Sequence, residues 1–258
     1  MGIPSATAVI ILNWKRPQNI GRIVRLTSDA LPQATIFVID HGEGLDRLAD
    51  RHDVPLDRCW VRTQTNAGPG VRFKLAAEWP FDRYLCIDDD TFLTIDQIQA
   101  LMDKLQQNPD GAHGVIGQMF VQEPSYIEKV KVTGDGEVSI LNCVYAFGRS
   151  RALATLQLAA SLGYKSWDDV ARTDDILLSC AGPSRIHNLG SIEQCDTSSA
   201  EGIATVRTSG FQEERNDLII ELKRRGILSL HVQSASSNSR SRRVLMRGKL
   251  SKTIPAAP

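Results

Sequence analysis

Residues 84–94 read Tyr-Leu-Cys-Ile-Asp-Asp-Asp-Thr-Phe-Leu-Thr. The apolar run 84–87 has the character of a strand buried inside a parallel sheet, and it leads directly into Asp88, Asp89 and Asp90. Three adjoining carboxylates at the end of such a strand repel one another and raise each other's pKa, so the cluster requires compensation. A divalent cation supplies it through the hard oxygen ligands it prefers. Alternate residues of an extended chain face the same side, which directs Asp88 and Asp90 to a metal and Asp89 to another ligand, such as a sugar or ribose hydroxyl. The competing reading is a solvated acidic turn with Asp90 capping a helix. Apolar residues on both sides of the triplet weigh against it.

Upstream, residues 8–13 (AVIILN) and 35–40 (TIFVID) are short β-branched runs, and 59–64 is a weaker one. Pro17 opens a helical pattern with Ile20, Ile23, Val24 and Leu26 on its apolar face, and a second helix runs from the loop 66–70 to about residue 79. Strands alternating with helices predict a doubly wound α/β domain, in which ligands bind at the carboxyl ends of the strands. Asn13, Asp40, Gln64 and Asp88 each leave a strand at that edge and mark a binding crevice. Downstream, a helix is expected over 95–107, then strands over 114–121, 126–132 and 137–147. The turn Gly134-Asp135-Gly136 would join the last two as an antiparallel hairpin. Helices are expected over 151–162, 174–181 and 211–225. The fold class is thus α/β, a mainly parallel central sheet flanked by helices with a smaller antiparallel hairpin region.

The 258 residues are 42% apolar and 23% charged, as in an ordinary globular protein, and thirty basic residues balance thirty acidic ones. That balance gives no reason to expect a polyanionic partner. Five cysteines without a CxxC pair fit a reduced, cytoplasmic setting, with Cys86 and Cys143 acting as small hydrophobes inside strands. No segment approaches the ~20 apolar residues of a membrane span, so no transmembrane segment is expected. His113 and His187, without a ligand-spaced partner, read as structural. Residues 233–258 are Ser-rich and basic and are expected to form a flexible tail, either solvated or folding over a bound ligand as a lid.

Two further segments carry charge onto apolar helices. In TDDILLSCAG (173–182), Asp174 and Asp175 have a local explanation as N-cap and first-turn acid. In FQEERNDLIIEL (211–222), Phe211, Arg215, Leu218 and Leu222 share one stripe, which places Arg215 on the face to be buried. A guanidinium there needs a diphosphate or a nearby acid as partner. Arg16 admits a phosphate, a uracil edge or plain surface exposure.

The segment YLCIDDDTFLT resembles the DxD region of GT-A glycosyltransferases and is especially similar to the exostosin-type enzymes of family 64, which read hydrophobic–DDD–T–hydrophobic. VIILNWKRPQNIGRIV, TDDILLSCAG and FQEERNDLIIEL are similar to that family's opening strand, DDI segment and late arginine-bearing helix, so the resemblance runs from about residue 8 to residue 225. It implies a GT-A fold and metal-dependent transfer of a sugar from a nucleotide diphosphate donor, UDP-linked, to an acceptor hydroxyl with retention of configuration. Mn2+ or Mg2+ would sit at Asp90 and Asp88, with Asp175 beside the anomeric carbon and Arg215 at the departing diphosphate. Asn13, Arg16, Asp40, Asn66, Arg72, Asp88 and Asp89 would bind the donor, although Gly68-Pro69-Gly70 departs from the family's Asn/Arg-rich segment. Trp167-Asp168-Asp169 would contribute to an acceptor wall. On this basis residues 1–232 form one GT-A domain, with a nucleotide-binding half (8–94) and an acceptor-side half (95–232). The resemblance leaves the acceptor open among glycan, lipid, protein and nucleic acid. The alternatives are an inverting GT-A enzyme, a non-catalytic nucleotide-sugar or glycan-binding module, and a nucleotidyltransferase. The last is disfavoured because Asn13-Trp14-Lys15-Arg16-Pro17 stands where such enzymes carry a Gly-rich signature.

Overall fold

A computed structural model describes residues 6–41, 59–63, 68–122, 127–166, 168–170, 172–228 and 231–232. Gln64, Asn66, Trp167 and the tail 233–258 lie outside the described residues. In chain order the elements are β1 (Thr7–Asn13), α1 (Pro17–Ala30), β2 (Thr35–Asp40), β3 (Cys59–Thr63), α2 (Val71–Glu78), β4 (Arg83–Asp88), β5 (Thr91–Phe92), α3 (Ile95–Gln107), β6 (Ala112–Gly114) and β7 (Ile116–Gln122). They continue as β8 (Ile127–Val132), β9 (Gly136–Glu137), β10 (Ile140–Asn142), β11 (Val144–Gly148), α4 (Arg149–Ser161), α5 (Asp174–Cys180), β12 (Ser184–Ile186), β13 (Glu193–Gln194), α6 (Phe211–Arg224) and β14 (His231–Val232).

The central sheet has the order β3-β2-β1-β4-β11-β6-β12-β9. Its first four strands are all parallel, and β11 enters antiparallel between β4 and β6. Period-two alternation divides β1 between two cores. Val9 and Ile11 pack with α1 and α3, while Ala8, Ile10 and Leu12 pack with α2 and α4. The sheet is therefore covered on both faces, as its continuous apolar strands demand. A capping box at Thr94 and Gln97 starts α3, so Asp90 does not cap that helix. A third cluster joins Phe120 and Ile140 of a small sheet (β7, β8, β10, β14) to Ile176, Leu177, Leu218 and Leu222 of α5 and α6.

Two of the expected strands are broken. The run 114–121 divides into β6 in the central sheet and β7 in the small one; the run 137–147 divides into β9, β10 and β11. Between β6 and β11 the chain passes repeatedly between the two sheets, and two of these crossings, at Gly114-Val115 and at Cys143, lie against each other. A Cβ on Gly114 would lie 2.9 Å from the Val144 carbonyl oxygen, which accounts for glycine at this crossing. Cys143 has φ 63°, the one positive value outside glycine among the described residues, so it sits in a kink rather than inside a strand. The expected hairpin around Gly134-Asp135-Gly136 is also corrected. β8 pairs with β7, whereas β9 leaves the turn to pair with β12. No described helix is long and apolar enough to cross a membrane.

His113 and His187 have each other as partners. His113 Nδ1 lies 2.9 Å from His187 Nε2, the rings stack, and His113 Nε2 lies 2.8 Å from the Asn108 carbonyl oxygen. Burial lowers both pKa values, His187 to about 4. His113, Lys104 and Arg185 lower it further, and Asp135 opposes them. The unfolded chain therefore binds protons that the folded pair refuses. The pair's contribution to stability is complete above the usual histidine value of 6.5 and is lost as pH falls toward about 4. Acidification across this window should lower the melting temperature less in His187→Gln than in the parent; equal losses would exclude the pair as the cause.

Candidate active site

Strand β4 delivers the three acids to the carboxyl edge of the sheet, and each has a different environment. The Asp89 carboxylate accepts hydrogen bonds from the Trp14 and Lys15 amides (2.8 and 3.3 Å) and from Arg16 Nη1 (2.7 Å). Asn19 Nδ2 donates to its carbonyl oxygen (2.8 Å), and Arg16 also donates to the Thr197 hydroxyl and carbonyl. The β1–α1 loop is thus wound about Asp89, and both of its carboxylate oxygens are engaged within the protein. Asp88 accepts from Arg72 Nη1 at 2.8 Å. Asp90 accepts from the Thr91 hydroxyl at 3.0 Å, and its other oxygen lies 3.8 Å from Arg16. Burial, with Asp88 next in effect, pushes the Asp90 carboxyl up to about 6. On the neighbouring strands Asn13 Nδ2 donates to Asp40 at 2.7 Å.

The second acidic pair opens α5, where both residues are buried. Arg215 of α6 forks onto Asp175, with Nη1 to Oδ1 at 2.7 Å and Nη2 to Oδ2 at 2.9 Å; Asn142 Nδ2 also donates to Oδ2 at 3.1 Å. The guanidinium expected at a diphosphate therefore holds a carboxylate, one of the two partners the helical stripe allowed. Arg72 lies between the clusters, with Nη2 3.5 Å from Asp174 while Nη1 binds Asp88. Burial raises the Asp174 carboxyl to about 7 despite Arg72.

Asn142 and Cys143 were not singled out for function by the sequence. They lay within the run 137–147, which read as one unbroken strand. Cys143 Sγ and carboxylate oxygens of Asp88 and Asp90 all lie within 4.8 Å of one another, the one metal-compatible group of this kind among the described residues. The Asp88 amide donates to the Cys143 carbonyl (2.9 Å).

Charge defines what this edge can hold. Asp88, Asp89, Asp90, Asp174 and Asp175 are served by Arg16, Arg72 and Arg215, an excess of two carboxyl groups over guanidiniums. Asp90 has the most distant cation of the five. An excess of two acids beside hard oxygen donors fits a divalent metal ion. A separate open groove of about 630 Å³, between α1 and the start of α3, is lined by Arg22, Phe92 and Glu193 among others and contains none of these acids.

No family model and no curated protein sequence matches the chain. In three dimensions it is similar to the crystal structure of GalNAc-T7 with UDP, GalNAc and Mn2+, at a TM-score of 0.52 and 11% identity, over 73% of this chain. The chain spans less than half, 43%, of that protein's resolved length. The likeness shows the fold, a GT-A glycosyltransferase fold with its mostly parallel sheet and small antiparallel companion.

Arg215 is 6% and Asp175 7% exposed, so removing one partner strands the other's charge. Arg215→Ala should destabilise the protein by about 3–5 kcal/mol in urea unfolding. A loss within the ~0–1 kcal/mol range of exposed pairs would show that the pair is solvated in solution.

Proposed function

We propose that the protein is a metal-dependent glycosyltransferase that moves a sugar from a nucleotide diphosphate donor, UDP-linked, to an acceptor hydroxyl with retention of configuration. The observation that carries this reading is the excess of acid at one sheet edge of a GT-A fold, where Asp88 and Asp90 face one point and a clamped Asp175 stands nearby. GalNAc-T7, the fold neighbour, was crystallised with UDP and Mn2+, which agrees with the donor and the metal. Asp90 and Asp88 would hold Mn2+ or Mg2+, which supplies Lewis-acid neutralisation of the departing diphosphate.

The chain's own residues divide the remaining work. Asp89 organises the loop that bears Trp14, Lys15 and Arg16, and so shapes the wall of the donor crevice. Arg72 fixes Asp88 and holds Asp174 against it. Arg215 and Asn142 hold Asp175 at both oxygens. A carboxylate immobilised in this way suits stabilisation of an oxocarbenium-like sugar, where preorganised charge is effective because nothing must reorient during reaction. That immobility favours the retaining reading over one in which Asp175 swings to an acceptor proton. Arg215 then acts through Asp175 as a positioning residue.

The direct test is release of nucleoside diphosphate from a panel of UDP- and GDP-sugars, with and without Mn2+. Nucleotide binding without metal-dependent release from any donor would favour a non-catalytic binding module. Asp90→Asn should abolish the metal-dependent part of donor binding in calorimetry. Asp175→Asn should spare donor binding yet reduce turnover by about 10²–10³-fold; full turnover in that variant would remove Asp175 from the reaction.

A further inference from the structure

The crossing between β10 and β11 places a sulfur atom among the oxygens of the acidic triplet. Cys143 continues the antiparallel register of β11 on β4, in which Val144 faces Ile87, and so stands opposite Asp88. The hydrogen bond from the Asp88 amide to the Cys143 carbonyl fixes the two main chains together at that point. The side chain is part-buried and forms no disulfide. Two atoms that share one ion at about 2.0–2.3 Å each lie no more than ~4.6 Å apart. The Cys143 sulfur and the Asp88 and Asp90 oxygens, within 4.8 Å of one another, are close to such a set without backbone movement. Gln194 Nε2 approaches the sulfur at 3.8 Å, in the place of an outer group that orients a ligand.

We propose that Cys143 is a third protein ligand of the divalent ion held by Asp88 and Asp90, so that the centre is a two-carboxylate, one-thiolate site. The proposal rests on the reading of the triplet as a metal site and deepens it. The metal–sulfur bond forms as the thiol releases its proton to solvent, with no change in oxidation state. A thiolate among the ligands disfavours Mg2+, which takes oxygen donors, and favours softer ions such as Co2+, Zn2+ or Cd2+ over it. The kink at residue 143 then has a use beyond passing the chain between sheets, since an unbroken strand would not present this side chain at the same point.

Co2+ is the probe, because coordination of sulfur to it gives a thiolate-to-metal charge-transfer band in the near ultraviolet. The full chain titrated with Co2+ should develop this band and saturate at a single equivalent, and excess Mg2+ should leave it in place. Cys143→Ser should lose the band while retaining the parent's far-ultraviolet circular dichroism, and Mg2+ should now compete for the site. Cys195→Ser, a control for the neighbouring thiol, should keep the band. Asp90→Asn should lose it with the Cys143 thiol intact, which tests the shared site even if the serine variant folds poorly. Stoichiometric Co2+ binding in calorimetry without the band, or a band undiminished in Cys143→Ser, would overturn the thiolate ligand and leave the carboxylate metal site standing. Failure of the parent to bind Co2+ or Mn2+ at all would overturn both.

Discussion

Asp88, Asp89, Asp90, Asp174 and Asp175 crowd against Arg16, Arg72 and Arg215 at one edge of the central sheet, and this crowding of like charge is the constraint on which the rest depends. A carboxylate buried without a partner is strongly unfavourable. Arg16, Arg72 and Arg215 come from three distant parts of the chain, and each is buried where its acid needs it. The β1–α1 loop, the start of α2 and the α6 helix are thereby held to the triplet and to α5. Breaking any of these pairs leaves an uncompensated charge, so the arrangement is specific even where its net contribution to stability is modest. The remaining excess of acid is what the proposed cation would neutralise.

Much of the frame was legible in the sequence because its signals are local. Residues 35–40 and 95–107 read as the strand and helix that form, and the apolar run before Asp88 identified the end of β4. Burial of Arg215 followed from helical spacing alone, since Phe211, Leu218 and Leu222 fix the face on which it lies. Its partner did not follow, because spacing along one helix says nothing about which acid stands across from it. The same limit applies to Asp89, where alternation located the side chain but not the three donors that surround it.

The stretch from residue 114 to residue 147 was less legible for a different physical reason. The runs 114–121 and 137–147 are rich in apolar residues, and polar members such as Gln118, Glu137 and Ser139 read equally well as the wetter face of one continuous strand. Glycine at 114 is a weak hint, and cysteine at 143 gives none, since left-handed backbone is unusual for that residue. His113 and His187 escaped for a related reason, being separated in sequence and joined only when β6 and β12 pair.

The adjacency of Asn142 and Cys143 has a mechanical consequence. One side chain is bonded to Asp175, and the next residue's main chain is bonded to Asp88. Neighbouring Cα atoms across a trans peptide are about 3.8 Å apart and cannot stretch. A single peptide unit therefore acts as a spacer between the two acidic clusters. A shift of the small sheet against the central one would thus be passed between Asp88 and Asp175 through two hydrogen bonds and the stiff peptide unit that joins them.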